Sequence, residues 1–343
     1  MLYLTTRNKH DAYTAARTLA SDRGPDGGHY LPYRMIRLDR HQVMALKDKN
    51  FCQCVAEILN QFFACRLSGW DVEFSIGRYP AKMVEMNHRL VIGEIWHNDR
   101  SDYAAMESAL AERIYGGKPE GDIAAWVKIA IRIAVLTGVF GELLKKDLTD
   151  PEHPIDVAVS AGDFSAPMAV WYARQMGLPI ANIICGCNEN SCVWDLLHLG
   201  TMRTDNVVIK TTTPEGDWSV PEHLERLICG CLGPDEALRY SEICRKGGTY
   251  ALLPADAQKV REGMFAAVVS MDRLDAAIPS LYRTSSYIMG PYTALGYGAL
   301  LDYRAKTSQT RPALLLADKS PRCHLVQVSD AMNMLEEDLE DKL

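Results

Sequence analysis

The chain has 343 residues, of which 48% are hydrophobic and 24% are charged, and its formal net charge is −7. This length allows two domains and a large buried core, and the composition is not that of a disordered chain. The acidic balance leaves no excess of basic residues to hold a nucleic-acid backbone, and the length excludes a small disulfide-stapled scaffold.

The first thirty residues and the longest apolar run predict a protein that is neither exported nor membrane-spanning. Residues 1–30 include Arg7 and Lys9 and contain no apolar run of signal-peptide length. The longest apolar run, residues 123–144, carries Lys128 and Arg132 near its centre, where charge would be costly in a bilayer. We therefore expect a core helix there, and a cytoplasmic chain whose 10 cysteines are thiols, most of them buried.

The first part of the chain predicts a small unit of mixed structure that ends near Tyr79 and Pro80. Its opening residues alternate between apolar and polar, which favours a strand, and a segment dense in Gly and Pro indicates a structured loop. We expect a strand at 1–6, a helix at 11–21, the loop at 23–32, and helices at 40–47 and 50–64.

The centre of the chain alternates strand and helix patterns. A buried strand at 89–96, a polar turn at 97–102 and a helix at 103–115 precede a long helix at 122–144. The clearest architectural pattern is a βαβ unit, with Pro167 placed at the first position of its helix. Its parts are a strand at 155–161, a tight turn at 162–167, a helix at 168–177 and a strand at 180–185.

The last part of the chain continues the alternation and ends in an acidic helix that starts at Asp330. Alternating strands and helices predict an α/β fold with a mainly parallel sheet flanked by helices. We expect strands at 206–211 and 312–317, and helices at 221–232, 234–246, 254–270 and 292–305.

Four blocks of sequence, in order and spread over nearly the whole chain, carry a family resemblance. They comprise residues 3–7 with 26–32; 92–97; 159–166 with 176–180 and 188–190; and 290–296 with 314–321. They resemble segments of threonine synthase, among them its "DGGLYVP", "TGNFGN", "MGLPI", "TNEN", "DPHTAVG" and "LSTAHP". That family uses pyridoxal phosphate to convert phosphohomoserine to threonine and phosphate. The resemblance implies the fold-type II architecture, with residues 1–80 as the N-terminal domain and 81–343 as the large domain.

The same resemblance shows where the chain departs from the family's chemistry. The cofactor's Schiff-base lysine follows the family's strand-turn histidine by seven positions, and the same count from His97 reaches Ala104. No lysine occurs between His97 and Gly117, and the nearest ones are Lys82 and Lys118. Without that amine neither the covalent link nor the proton transfer at the substrate carbon is available, so no catalytic residue is expected.

The residues that match the family's cofactor-binding motifs are altered as well. In the phosphate loop Gly162 remains, whereas an aspartate replaces the family's Asn and Pro167 removes a backbone donor. Asp318 stands where the family places a hydroxyl beside the ring nitrogen, and we expect it to be a surface or salt-bridge residue. The expected degenerate remnant of the cofactor site consists of Gly162, Asp163, Phe164, Ser165, Ala166, Asn188 and Asp318.

A small subdomain of the family, which contains a phrase like "SGDTG" for the substrate carboxylate, has no counterpart here. After the helix that ends at Tyr115, only the short segment 116–121 precedes residues 125–128. These resemble the "NWAR" beginning of the helix that follows the subdomain in the family. We expect this lobe to be deleted near 116–122 and the architecture to be a truncated one.

Other residue patterns are weaker. The Cys-x-Cys pairs at 52–54, 185–187 and 229–231 lack a matching CxxC set and favour buried thiols over a metal site. Ser165 has no evident histidine partner, so a serine nucleophile is not supported. Lys128 and Arg132 share one helical stripe, which is either solvated or, if it lines the old cofactor cleft, an anion site.

Three hypotheses remain open at this point. The first is a pseudoenzyme of the threonine synthase type, without cofactor or metal, that binds a small anionic ligand, a protein partner or a second copy of itself. The second is an active threonine synthase or a related pyridoxal-phosphate lyase of amino-acid metabolism, with its lysine supplied from elsewhere. The third is a cofactor-independent enzyme or a metal protein that reuses the cleft, with residues 185–192 as its most suggestive segment.

Overall fold

The computed structural model describes residues 1–77, 81–87, 89–96 and 103–343. The expected boundary at Tyr79 and Pro80 and the expected polar turn at 97–102 lie outside these residues. The division into domains at residue 80 therefore stays a prediction.

The N-terminal region combines a small antiparallel sheet with short helices. Its strands are ordered β2-β1-β3, with β1 in the centre. The helix expected at 11–21 is partly wrong, because its first residues form a hairpin strand against β1. The elements are β1 (Leu2–Thr5), β2 (Asn8–Thr14), α1 (Ala15–Ala20), β3 (Tyr30–Pro32), α2 (Arg40–Met44), α3 (Phe51–Phe63) and α4 (Gly69–Ile76).

The large sheet has six strands in the order β10-β7-β6-β11-β5-β4. Its strands run parallel except β4, an antiparallel edge strand that the sequence patterns did not predict. The predicted α/β fold with a mainly parallel sheet is confirmed. The strands are β4 (Lys82–Asn87), β5 (Leu90–Glu94), β6 (Ile155–Ser160), β7 (Ile180–Cys187), β10 (Met264–Val268) and β11 (Ala313–Ala317).

Helices cover both faces of this sheet. In β11, Leu314 and Leu316 belong to a core with the helices of one face, whereas Leu315 and Ala317 belong to a second core on the other face. This alternation is the period-two pattern of a strand buried on both sides. The first face carries α6 (Ala125–Lys145) and α7 (Ser165–Met176), and the second carries α12 (Met271–Ser285) and α13 (Pro291–Thr307).

Helix α6 is the buried core helix that the sequence predicts. It follows α5 (Tyr103–Tyr115), and residues 116–124 between the two contain no helix or strand. Within the described ranges, no helix combines the length and apolarity that crossing a membrane requires. The remaining elements are α8 (Cys192–Leu199), β8 (Thr201–Arg203), α9 (Leu224–Leu232), α10 (Pro234–Lys246), β9 (Thr249–Ala251), α11 (Pro254–Arg261), α14 (Leu325–Met332) and α15 (Glu336–Glu340).

Several predictions for the second half of the chain are wrong. Residues 206–211 form no strand, and Val207 is 90% exposed, because the segment pairs with no neighbouring strand. The helix expected at 254–270 ends at Arg261, since Gly263 takes a left-handed φ of 66° and leads into β10. Pro167 is the third residue of α7 instead of its first. The C-terminal helix begins before Asp330, and α15 is separate from it.

Candidate functional site

A cleft of about 240 Å³ lies where β6 and β11 end, between α5, α6 and the start of α7. The carboxyl ends of parallel strands are the usual binding edge of an open α/β sheet. Five residues of the sequence-derived remnant line this cleft together with Ala104, whereas Phe164 and Asn188 do not. Its lining consists of Tyr103, Ala104, Glu107, Lys128, Arg132, Ser160, Ala161, Gly162, Asp163, Ser165, Ala166, Glu215, Trp218, Tyr292, Asp318 and Lys319.

The turn from β6 into α7 is the segment that resembles the phosphate loop of the family. Gly162 and Phe164 both have left-handed φ angles, of 49° and 72°, and the Phe164 side chain is fully buried. The Asp163 carboxylate accepts the backbone N–H of Ser165 at 2.8 Å and its hydroxyl at 2.5 Å. A carboxylate of the chain therefore already occupies the backbone donor at the start of α7 that an anion would otherwise use.

Behind this loop, His223 contacts Asp163 with Nε2 3.7 Å from Oδ2. Burial and the neighbouring Arg226 lower the pKa of His223 to about 3, so the imidazole is neutral at neutral pH. Burial works against ionisation of Asp163, but His223 and the hydrogen bonds from Ser165 outweigh it and the pKa lies below its ordinary value. Since His223 contacts Asp163 and the Ser165 hydroxyl donates to that same carboxylate, the geometry is not that of an activated serine.

Arg132 and Asp318 form a close ion pair on the cleft wall, with their side chains 12% and 20% exposed. The Arg132 guanidinium carbon also lies 4.0 Å from the centre of the Tyr103 ring, which is a cation–π contact. Burial by itself would lower the pKa of Arg132. The opposing effects of Asp318 and other neighbours are larger, so the pKa lies above its ordinary value. The salt-bridge role expected of Asp318 is thus what the structure displays, at the cleft instead of the outer surface.

Two further charges face the cleft without a partner. No hydrogen bond or ion pair joins Lys128 or Glu107 to another side chain in the described part of the chain. Burial raises the pKa of Glu107 to about 6, against the opposing effects of Arg132 and Lys128. The cleft therefore contains an unpaired ammonium and an unpaired carboxyl group that takes up a proton just below neutrality.

The position that the family resemblance assigns to the Schiff-base lysine, Ala104, lines the cleft. Ala104 sits in the first turn of α5, and α5 contains no lysine. Of the lysines named from the sequence, Lys82 and Lys118 do not line the cleft. Lys128 and Lys319 do, and sequence reasoning overlooked Lys319, whose only signal was its place next to Asp318.

These residues do not fit pyridoxal phosphate as the family holds it. Alanine stands where the resemblance places the Schiff-base lysine, and the Asp163 carboxylate accepts from a backbone donor of the segment that resembles the phosphate loop. Arg132 pairs with Asp318, the residue that matches the family's ring-nitrogen partner. We therefore derive no catalytic step through this cofactor.

Asn188, which the sequence places with the cofactor remnant, lies outside the cleft lining. It is buried, and its Nδ2 donates to the Thr211 hydroxyl at 2.9 Å and to Asp217 at 2.8 Å. The structure thus gives Asn188 the role of organising the loop that brings Glu215 and Trp218 to the cleft.

The cysteines are all free thiols. Burial raises the pKa of both Cys185 and Cys187 well above the ordinary thiol value. In the described ranges, no group of three or more His, Cys, Asp or Glu side chains is arranged to hold a metal ion.

Comparison with known proteins finds matches to the N-terminal region and to the fold. The model of the threonine synthase N terminus matches residues 2–76. Human threonine synthase-like 1 is 26% identical over 173 residues, which cover 50% of this chain and 23% of that protein. Threonine synthase of Corynebacterium glutamicum is 29% identical over 182 residues, 50% of this chain and 37% of its own. The matches thus span well under half of these relatives.

Solved structures match over the whole chain. The structure of PLP-bound threonine synthase from Brucella melitensis aligns with a TM-score of 0.82 at 18% identity, covering 100% of this chain and 94% of that one. Yeast threonine synthase aligns with a TM-score of 0.81 at 16% identity, covering 99% and 93%. The deletion near 116–122 stays a prediction. The chain thus has the fold of these threonine synthase structures, and its residues 2–76 match the threonine synthase N-terminal family.

Proposed function

We propose that this chain is a pseudoenzyme whose cleft binds a small anionic ligand and no longer performs pyridoxal-phosphate chemistry. The observation that carries the proposal is the unpaired Lys128 ammonium in a cleft whose lysine position is Ala104. A cation retained in a cleft without a partner is expected to meet its counter-ion from solution.

The charges around Lys128 indicate how such a ligand would sit. The other two cations of the cleft are already neutralised, since Arg132 pairs with Asp318 and Lys319 pairs with Glu215. Lys128 is therefore the cleft cation that offers its full charge, within the part of the chain that the structure describes. Glu107 opposes an anion when it is ionised, so a small, compact anion near Lys128 fits this cleft best.

The test of the first half of the proposal is spectroscopic. The purified chain is incubated with pyridoxal phosphate, its absorption spectrum is recorded, and the sample is reduced with borohydride and mapped by peptide mass. We expect no internal aldimine on any lysine and no release of phosphate from phosphohomoserine. A stoichiometric aldimine together with phosphate release would refute the pseudoenzyme.

The test of the second half is titration calorimetry with inorganic phosphate. We expect a single site that is lost in Lys128→Gln and kept in the matched surface control Lys47→Gln, because Lys47 is exposed and does not line the cleft. Equal binding by both variants would refute a Lys128 anion site.

An active enzyme is the second candidate, and one observation favours it. Lys128 and Lys319 place two amines in the cleft, although neither lies on α5. Peptide mapping after borohydride reduction distinguishes them, since a label on either lysine with measurable turnover supports an active lyase with a relocated amine.

A further inference from the structure

A second cavity, of about 650 Å³, lies far along α7 from the cleft. It opens between residues 31–37, which comprise the end of β3 and the segment after it, and the helices α7 and α9. An adjoining cavity of about 480 Å³ shares Trp171, Gln175 and Gly230 with it, so the two form one groove. The volume of the larger cavity falls in the range of small-molecule sites, which often lie at the junction of two structural units.

An aromatic group forms one wall of this groove. The Trp171 ring packs edge-on against Tyr172 at 5.2 Å, and Tyr172 packs against the buried Trp126 at 5.7 Å. A Cβ atom on Gly230 would lie 2.7 Å from the Trp171 ring, so glycine in α9 is what lets the indole lie there. The indole is held in place before any ligand arrives.

The opposite rim is anchored to the end of α7. The backbone N–H of Leu38 donates to the carbonyl of Met176 at 2.7 Å, and a Cβ on Gly177 would lie 2.5 Å from the Leu38 carbonyl oxygen. This contact positions the segment that carries Tyr33, Arg34 and Arg37 along the groove.

The charge of the rim is one-sided. No carboxylate in the described ranges lies within ion-pair distance of Arg34 or Arg37, and Glu262, the one acidic residue of the groove lining, belongs to the smaller cavity. This is unusual in a chain with a net charge of −7. Two guanidinium groups present forked donors suited to phosphate, with Arg34 lying over the Tyr33 ring at 5.6 Å, and the Trp171 ring presents a surface for a flat ring.

From this combination we propose that the groove binds a small molecule that joins a flat heteroaromatic ring to a phosphate monoester, of the nucleoside monophosphate type. The phosphate lies between Arg34 and Arg37, and the ring lies against Trp171. The site is separate from the cleft and does not depend on the function proposed for it.

Calorimetric titration of the full chain with three probes tests this proposal. Adenosine 5′-monophosphate carries both groups, adenosine carries the ring alone, and ribose 5-phosphate carries the anion alone. We expect the monophosphate to bind at least about tenfold more tightly than either fragment, since each tenfold step corresponds to about 1.4 kcal/mol. Equal affinity for ribose 5-phosphate, equal affinity for adenosine, or no binding of the monophosphate would each overturn the proposal.

Variants then locate the site. The exposed double variant Arg34→Gln/Arg37→Gln should weaken monophosphate binding about tenfold or more and remove its advantage over adenosine. In Trp171→Leu the monophosphate should bind no more tightly than ribose 5-phosphate. Thermal unfolding checks that this variant is folded. Arg283→Gln, an exposed arginine outside the groove lining, should leave the affinity unchanged. A loss in Lys128→Gln that the arginine variants do not show would place the ligand in the cleft and overturn the groove.

Discussion

Two clusters of partly buried charge in this molecule are built in opposite ways. Where the N-terminal sheet meets α9, Glu225 accepts hydrogen bonds from Thr6 and from both Nε and Nη2 of Arg7, the last two at 3.0 and 2.8 Å. In the cleft, Lys128 and Glu107 have no partner in the described ranges, and one oxygen of Asp318 is buried without a hydrogen bond.

The difference separates a structural role from a binding role. A buried charge that is fully hydrogen-bonded within the chain holds two parts of the fold together and has nothing left to offer a ligand. A charge without a partner adds little to stability but keeps its full interaction for a molecule from solution. Substitutions in the first cluster should therefore lower the free energy of unfolding, and those of the unpartnered charges in the second should leave it nearly unchanged or raise it.

The largest effect is expected from Glu225→Ala. The Glu225 and Arg7 side chains are only 6% and 19% exposed, so the substitution leaves a partly buried guanidinium and a buried Thr6 hydroxyl without their acceptor. We expect the free energy of unfolding to fall by about 3–5 kcal/mol, measured by urea denaturation.

The control is phosphate affinity at a temperature where the variant stays folded, and this affinity should be unchanged. A loss of less than about 1 kcal/mol would mean that the cluster is solvated and would remove the contrast with the cleft.

A smaller loss is expected from Arg132→Gln. The substitution removes the ion pair with Asp318 and the contact with the Tyr103 ring, but both charged side chains are partly open to the cleft. We expect a loss of about 2 kcal/mol in the free energy of unfolding. The double variant Arg132→Gln/Asp318→Asn should recover part of it, and strictly additive losses would show that the two residues do not interact.

The contrast between the clusters also explains how far the sequence could predict the site. Local patterns predicted the β6–α7–β7 unit and the long helix α6, because hydrophobic periodicity and the turn residues are contained in each segment. The spacing of Lys128 and Arg132 placed them on one stripe. Their meeting with Asp318 and Lys319 depends on β11 lying next to β6, and sheet order is a property of the whole fold.

The wrong predictions have the same physical origin. Residues 206–211 have the composition of a strand, yet the described structure offers that segment no strand partner, and Asn190 holds it instead through two hydrogen bonds to the backbone of Ile209. The edge strand β4 was missed because its pattern of burial is weak and its existence depends on pairing with β5.

Glu107→Gln should have a pH-dependent effect on stability. Burial raises the folded-state pKa of Glu107 to about 6, above its ordinary value of 4.5, so the native state binds this proton more readily than the unfolded state. Above pH 6 the ionised carboxyl therefore costs stability, and below about pH 4.5 both states are protonated and the cost vanishes. We expect Glu107→Gln to stabilise the chain by about 1 kcal/mol at pH 7, and less as the pH falls to 4.5.

Denaturation of both proteins across this pH range measures the difference directly, and other titrating groups cancel in it. A difference that does not change with pH would show that the Glu107 carboxyl is as well solvated as in the unfolded chain. The cleft would then lack the poorly solvated acid that distinguishes it from the Glu225 cluster.

The smallest effect on the unliganded protein is expected from Lys128→Met. Because Lys128 has no partner in the described ranges, its removal should change the free energy of unfolding by no more than about 0.5 kcal/mol. In phosphate at a hundred times its dissociation constant, the unsubstituted protein should gain about 2.7 kcal/mol, and the variant should lose that gain. Thermal unfolding with and without phosphate measures both quantities. Because Arg132 stays paired with Asp318 in the variant, a gain that persists would mean that the anion is held elsewhere and that Lys128 is merely solvated.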